Sequence, residues 1–435
     1  MPETIVPDKS KLYRLPWSAN DNPIGWVEIT DICNIHCDGC YRLVMGEGHK
    51  PFEQVKEEIL FLKKWRNCDG ISIAGGEPLL HPQIVEIIQF ITDSGMKSLM
   101  LTNGYALDED LMIKLKKAGL TGLSFHIDST QVRPEFKKIK PEHEVDLNEL
   151  RLSCAKKLKK ISGLYSHFGI TVTRKNLHEI PDLLKWAIDN MDVVGGISLI
   201  TYRGIPVHEG IEFRNGSGQK IPILPGGLGY SILPEQMENA SVTSKEVYAV
   251  IKEHFPGYEA AGYLGGTVDH TSFKWLIGNF IVNKKGKVFG AYGKRTMELV
   301  QTFYHWKKGK YLVYPKIKMG KRIFFMSLFD KTVRKAFGKF IVYCLKNPFR
   351  FFIPVKAIGI GCIQAPDVLP DGRIDMCDDC PDMCVHEGKL VHSCRLDECR
   401  KFGSMLQVNV ISEEAKEMLT RRKFQKPVTR EETVM

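Results

Sequence analysis

A chain of 435 residues with 43% hydrophobic and 26% charged residues has the balance of a globular protein with a sizeable core. Its net charge of +10 is uneven: residues 301–356 carry fourteen Lys or Arg and one acid, a local +13, and the rest sums to −3, which argues against a generally basic protein. No stretch of about 18 apolar residues is free of charge, and the opening MPETIVPDKSKLYRLPW has no basic region followed by an apolar run, so neither a spanning helix nor a secretory signal is expected.

From residue 25 onward β-type runs alternate with amphipathic helical stretches. GWVEIT (25–30) reads as a strand, followed by a loop with three cysteines. PFEQVKEEILFLKKWRN (51–67) places Phe52, Val55, Ile59, Leu62 and Trp65 about one turn apart, which predicts one apolar helix face. GISIAGG (70–76) is a strand; HPQIVEIIQFITDSG (81–95) is a helix with Pro82 in its first turn and Gly95 as a stop. SLMLTNG (98–104) is a strand, and LDEDLMIKLKKAG (107–119) a helix with early acids and late lysines, as the helix dipole favours. Strands at 123–129, 168–174 and 193–204 alternate with helices at 147–162 and 177–190. Such alternation predicts a parallel sheet with helices outside it. Functional residues belong where its strands end and its loops begin.

Residues 205–300 are turn-rich and are expected to be an irregular linking region, possible ground for substrate binding. Within them, FKWLIGNFIVNKKGKVFGAYG (273–293) predicts two short strands around a Lys-Gly turn. Residues 1–24 are expected to be an N-terminal extension and 420–435 a mobile polar tail.

Nine of the twelve cysteines fall into two groups, at 33–40 and 362–399, while Cys68, Cys154 and Cys344 stand apart and read as small buried hydrophobes. Without an export signal, grouped cysteines point to metal ligation rather than disulfides. In ITDICNIHCDGCYR (29–42), Cys33, Cys37 and Cys40 have the spacing C-x3-C-x2-C. Three thiolates on a tight loop hold three irons of a four-iron cubane and leave the fourth open, or form part of a zinc site. Directly after the second predicted strand comes AGGEP (74–78). On its own, Gly-Gly-Glu-Pro is an ordinary turn; here the glycines let backbone approach a ligand closely.

The cysteine triplet after the first strand, with AGGEP after the second, resembles the radical S-adenosylmethionine (radical SAM) enzymes. The resemblance covers residues 25–204 and implies a partial (β/α)6 TIM-type barrel. It implies that Cys33, Cys37 and Cys40 bind a [4Fe–4S] cluster whose fourth iron is chelated by SAM, and that SAM cleavage yields a 5′-deoxyadenosyl radical. It places Gly75, Gly76, Glu77 and Pro78 at the SAM ammonium. Thr102 and Asn103, then Ser124, His126 and Asp128, then Thr173 and Arg174 are further SAM contacts by the same resemblance. His126 reads equally as a satisfied interior histidine, and Arg174 suits a carboxylate. Many members carry an aromatic residue just before the third cysteine, where this chain has Gly39. A flavodoxin or ferredoxin is the implied electron donor.

Residues 357–419 hold the second cysteine group. Cys362, Gly372 and Cys377 follow C-x9-G-x4-C, and Pro370-Asp371-Gly372 is a turn signal that predicts a small hairpin bringing Cys362 towards Cys377. With Cys380, Cys384, Cys394 and Cys399 this resembles the SPASM or twitch extensions, which carry auxiliary clusters. One auxiliary [4Fe–4S] cluster on Cys362, Cys377, Cys380 and Cys394 is the favoured arrangement, with Cys384 and Cys399 as substitutes or free thiols. A zinc knuckle is the rival.

In residues 303–356 aromatics alternate with cations. A helix is predicted across FMSLFDKTVRKAFGKFIVYCL, with Leu328, Phe329, Val333, Phe337, Phe340 and Ile341 on one face. Such a helix suits a membrane interface. A helix buried against the barrel is the second reading, and nucleic-acid binding a third. The expectation is therefore a cytoplasmic radical SAM enzyme, peripheral on the inner membrane face, that functionalises an unactivated carbon of a lipid or isoprenoid. A peptide or protein modifier is the alternative enzyme, and a non-catalytic iron–sulfur or zinc protein the alternative from another class.

Overall fold

The computed structural model describes residues 5–421 except 44, 138, 162–163, 237–240 and 315–318. Most of the expected tail, Lys316 and Lys318 thus lie outside the described residues.

Six strands and five helices alternate as the sequence predicts: β1 (Ile24–Glu28), α1 (Phe52–Arg66), β2 (Gly70–Ala74), α2 (Ile84–Asp93), β3 (Lys97–Thr102), α3 (Glu109–Lys117), β4 (Gly122–His126), α4 (Asn148–Lys160), β5 (Tyr165–Val172), α5 (Ile180–Asp189) and β6 (Gly196–Thr201). The strands pair in chain order and all in parallel. Every residue of β1 and β2 is buried, as strands covered on both faces require. This parallel sheet, open beyond β1, fits a partial TIM-type barrel.

On α1, Val55, Ile59 and Leu62 are fully buried, but Trp65 is exposed and Arg66 takes the inward place. The guanidinium of Arg66 donates to the carbonyls of Ile24, Cys380 and Pro381, so its burial is compensated by backbone oxygens. It also ties the C-terminal cysteine region to β1.

The sheet does not stop at β6. Residues 205–300, expected to be irregular apart from two strands within 273–293, supply α6 (Ser244–His254) and β7 (Glu259–Leu264) as well as those two strands, β8 (Trp275–Asn283) and β9 (Val288–Gly290). After α7 (Lys294–Lys308) and α8 (Lys331–Leu345) comes the ten-residue strand β10 (Val355–Gln364), which crosses the boundary expected at 357. β10 lies parallel to β6 and antiparallel to β8, which pairs with β7 and β9. With Tyr13–Arg14 on β7 the sheet reaches eleven strands. Long apolar strands such as WLIGNFIVN make this continuation, because both faces find cover.

The helix predicted across 325–345 breaks at Asp330. Its carboxylate accepts from the backbone N–H groups of Thr332 and Val333 and caps α8, while residues 320–328 form 3-10 turns. The predicted single face is therefore split: Val333 and Phe340 are buried, whereas Leu328 and Phe329 are exposed. Among the described residues no helix is long and apolar enough to cross a membrane.

Candidate active site

The cysteine loop follows β1, at the strand end where the alternation placed it. Asp31 closes its base: the carboxylate accepts from the N–H groups of Met45, Glu47 and Gly48 at 3.1, 2.9 and 2.8 Å. Burial raises the pKa of Asp31, but these three donors outweigh it and hold the carboxyl below its ordinary range. Within the loop, His36 and Cys37 pair antiparallel with Val132 and Gln131. Cys33 and Cys40 are exposed and Cys37 is half-buried.

AGGEP is stitched onto this loop. The N–H of Gly76 donates to the carbonyl of Thr30 at 2.7 Å, and that of Glu77 to Ile32 at 2.8 Å. A Cβ on Gly75 would stand 2.3 Å from the Thr30 oxygen, and one on Gly76 2.2 Å from that of Ile32. Gly75 also has φ +137°, a conformation that side chains disfavour. The close approach foreseen for a ligand is thus made to the chain's own cysteine loop.

Glu77 departs from expectation. Its buried carboxylate accepts from Leu79 N–H (3.0 Å), the Thr102 hydroxyl (2.7 Å) and Asn103 N–H (2.7 Å). It starts the turn that contains buried Pro78 and ties β2 to the end of β3. Burial raises its pKa, and the three donors oppose that. Its role here is to clamp strand ends. Thr102 belongs to the same clamp. Asn103 points its amide at Asn34 (2.7 Å) and at the Cys33 sulfur (3.9 Å), which places it beside the first cysteine.

Ser124 and His126 are half-buried on β4, and Asp128 lies two residues past its end. The His126 ring approaches Asp128 at 2.6 Å and Thr171 at 3.2 Å. Burial lowers the His126 pKa, but the Asp128 carboxylate more than offsets it and the net shift is upward. Thr173 is half-buried, and its N–H donates to Asn176. Arg174 pairs at 2.5 Å with Glu246, whose other oxygen caps α6. Its fork is engaged by the protein's own carboxylate, so the expectation that it meets the SAM carboxylate is not supported by this geometry.

Three residues missed by sequence reasoning stand against the loop. Gln131 lies opposite Cys37 in the two-residue pairing. Tyr202, just past β6, fills the space over Gly39: a Cβ there would meet its ring at 2.5 Å. Arg42, two residues past Cys40, joins Glu28 and Asp397 in a buried ionic group. Gln131 and Tyr202 come from distant segments, and Arg42 finds its Asp397 partner in one, so no local pattern announces these contacts.

Desolvation in the loop raises the thiol pKa of Cys33, Cys37 and Cys40, with the Glu77 charge adding to it at Cys33 and repulsion from neighbouring thiolates at Cys37 and Cys40. Among the described residues no group of three His, Cys, Asp or Glu side chains is arranged to hold one metal ion. A cubane makes a different demand, since each thiolate binds its own iron.

In the second group, residues 367–368 pair with 374–375 around the predicted turn, with Gly372 at φ +85°. The hairpin is too short to include Cys362. That residue sits on β10 opposite Leu276 and Leu199, inside the main core with Tyr258. Burial alone raises its pKa. Cys380 instead lies in the electrostatic neighbourhood of Cys377 and Cys394: Cys377, then burial, then the charge of Cys394 hold its thiol well above the ordinary range. Cys384 is a core residue of the 383–392 hairpin, packed with Trp26 and Val391, and Cys399 lies against the same cluster. Cys377, Cys380 and Cys394 thus influence one another electrostatically, whereas Cys362 is set apart in the main core.

Residues 27–187 match the Radical SAM superfamily model. This segment is a radical SAM domain. Over 170 residues the chain is 32% identical to "Probable GTP 3',8-cyclase" of Methanocaldococcus jannaschii, covering 38% of this chain and 54% of the relative. It is 26% identical over 197 residues to "AdoMet-dependent heme synthase" of Methanosarcina barkeri, covering 43% and 52%. The chain spans about half the length of these curated relatives. Among solved structures, Streptococcus suis SuiB bound to S-adenosylmethionine aligns over 47% of this chain and 44% of SuiB, at 14% identity and a TM-score of 0.34. The radical SAM match ends within α5, so β7 to β10 and the second cysteine group lie outside it.

Proposed function

We propose that the chain is an enzyme that cleaves SAM reductively and uses the resulting radical to functionalise an unactivated carbon. The observation that carries this reading is the stitching of AGGEP onto the cysteine loop through Gly76 and Glu77, within a matched radical SAM domain. Cys33, Cys37 and Cys40 would hold the [4Fe–4S] cluster, whose chemistry when bound is to pass one electron to SAM. Gly75 and Gly76 keep the loop close, Asn103 and Gln131 flank the sulfurs, and Ser124 and His126 stand half-buried on β4. A flavodoxin or ferredoxin supplies the electron. Cys377, Cys380 and Cys394 would hold an auxiliary cluster, with a fourth ligand other than Cys362.

The substrate in this reading is a lipid or isoprenoid, met on the inner face of a membrane. Neither relative's name points to a lipid; the support is the basic, aromatic surface of residues 303–356. Alkyl chains offer no acidic proton or leaving group, which suits radical chemistry.

The test is an anaerobic count of iron and sulfide per chain, for the wild type and a Cys33/Cys37/Cys40→Ala triple variant. About eight irons falling to about four is the expected result, because each cubane carries four. Zinc in place of iron, or no loss in the variant, overturns the reading. SAM cleavage that no extracted lipid stimulates removes the lipid substrate.

A further inference from the structure

The excursion between β9 and β10 leaves its polar and apolar groups in an unusual order. The inner side of α8 is ordinary core. Val333, Ala336 and Phe340 are buried, and the Phe340 ring stacks on Phe324 at 4.8 Å and meets Phe289 edge-on at 5.3 Å. The outer side, read at three- and four-residue steps, begins with Lys331, Arg334 and Lys335 and ends with Ile341, Val342 and Leu345. One ridge is thus cationic in its first half and apolar in its second.

The apolar half continues past the helix. Leu345 is 76% exposed, and in the turn 348–352 Phe349 and Phe352 are 81% and 76% exposed. Phe325 and Leu328, on the turns before α8, are also bare, at 69% and 72%. Lys321 lies over the Phe351 ring at 4.7 Å, and the Arg350 guanidinium over Tyr343 at 4.5 Å, so cations stand beside the apolar tip.

The single acid of residues 301–356 does not balance these cations. Asp330 is buried, and its carboxylate accepts from Gly293 and Thr296 as well as from the start of α8. Among the described residues, none of Lys321, Lys331, Arg334, Lys335, Lys346 and Arg350 forms a salt bridge. The outward charge of residues 320–353 is therefore positive throughout.

We infer that residues 320–353 dock on an anionic lipid bilayer, with Leu345, Phe349 and Phe352 in the acyl boundary and the cationic half of α8 against lipid phosphates. Charge complementarity decides the sign of the surface. The aliphatic part of the ridge decides its kind. Leu328, Ile341, Val342 and Leu345 have no ring face on which a base stacks, whereas an acyl layer accepts aliphatic and aromatic groups alike. The docking deepens the lipid reading above and rests on it for the partner, but it needs no cluster and no turnover.

The experiment is flotation of the full chain, purified anaerobically, with phosphatidylcholine vesicles with and without phosphatidylglycerol. Binding to the anionic vesicles, weakened by salt and about tenfold or more weaker on neutral ones, is expected. Leu345→Ser/Phe349→Ser/Phe352→Ser should lower partitioning to both kinds of vesicle by about tenfold or more. Lys331→Gln/Arg334→Gln/Lys335→Gln should lower it on the anionic vesicles only. Circular dichroism and iron content should match the wild type in both variants. A wild type that does not float, or a serine variant that floats like it, overturns the proposal. So does a dimer in solution that the serine variant dissociates, or single-stranded RNA that displaces the protein from vesicles. Iron counting that fails while vesicle binding holds would sink the radical reading and leave the docking standing; the reverse pattern would do the opposite.

Discussion

Asp397 and Arg42 join the two cysteine regions of this protein across more than 350 residues of chain. The Asp397 carboxylate pairs with the Arg42 guanidinium and accepts from the Leu43 N–H at 2.6 Å. Both side chains are buried, and Arg42 also meets Glu28 at 3.4 Å. The backbone just past Cys40 is thereby held by the helix of residues 396–402, which follows Cys394.

Removing one partner of a buried pair leaves the other charge uncompensated, at about 3–5 kcal/mol. Asp397→Ala should therefore lower the melting temperature and cost the first cluster: iron per chain falls, and SAM binding measured by calorimetry weakens. Arg42→Met/Asp397→Leu with Glu28→Gln, which removes the three buried charges together, should recover part of the stability. A single variant that keeps full iron and SAM affinity would show that the pair does not position the loop.

Gly76→Ala tests the stitch between AGGEP and the cysteine loop. A methyl group 2.2 Å from the Ile32 carbonyl oxygen must push the loop away. Overpacking of this kind costs about 1–3 kcal/mol. The expected outcome is a modest loss of stability with a large loss of iron at the first site. Gly46→Ala, where a Cβ meets nothing within 4 Å although φ is +76°, is the control and should retain iron.

The second cysteine group separates by substitution. Cys380→Ser and Cys394→Ser should each lower the auxiliary iron, while Cys362→Ser should keep it and lose stability instead. Cys362 lies in the core with Leu199, Leu276 and Tyr258, so a hydroxyl there is a buried polar group without a designed partner. Iron counting and thermal unfolding on the same samples distinguish the two losses.

Asp330 gives a pH dependence. Burial raises its pKa, but the Thr296 hydroxyl and the N–H donors of Thr296, Gly293 and Thr332 outweigh it, so the folded value lies below the ordinary one. A depressed carboxyl contributes stability above its unfolded pKa of about 3.9 and loses it as pH falls through the folded value. The excursion should hold at neutral pH and loosen in acid, read as increasing exchange of α8 amides below about pH 4. Asp330→Asn should remove that dependence and lower stability by about 1–2 kcal/mol.

Much of the candidate site was legible locally. Cys33, Cys37 and Cys40 fall within eight positions, and AGGEP follows the next strand, because one loop and one strand end can present these groups without help. The six β/α units were legible too, since each strand and helix carries its own period. Legibility failed where side chains answer to distant partners. The bonds of Glu77 to Thr102 and Asn103 and the pair of Arg174 with Glu246 could not be read from their sequence neighbours.

The sequence by itself determined the order of elements, the cysteine loop at the end of β1 and the cationic character of residues 301–356, because spacing and charge are local properties. Only the tertiary structure decided that β10 carries Cys362 into the core and away from Cys377. It alone decided that Tyr202 covers Gly39, that Asp397 grips Arg42, and that Asp330 turns its charge inward while the lysines face out. The physical reason is the same in each case. A buried polar or bulky group must find a partner, and that partner is supplied by whichever segment the sheet brings beside it.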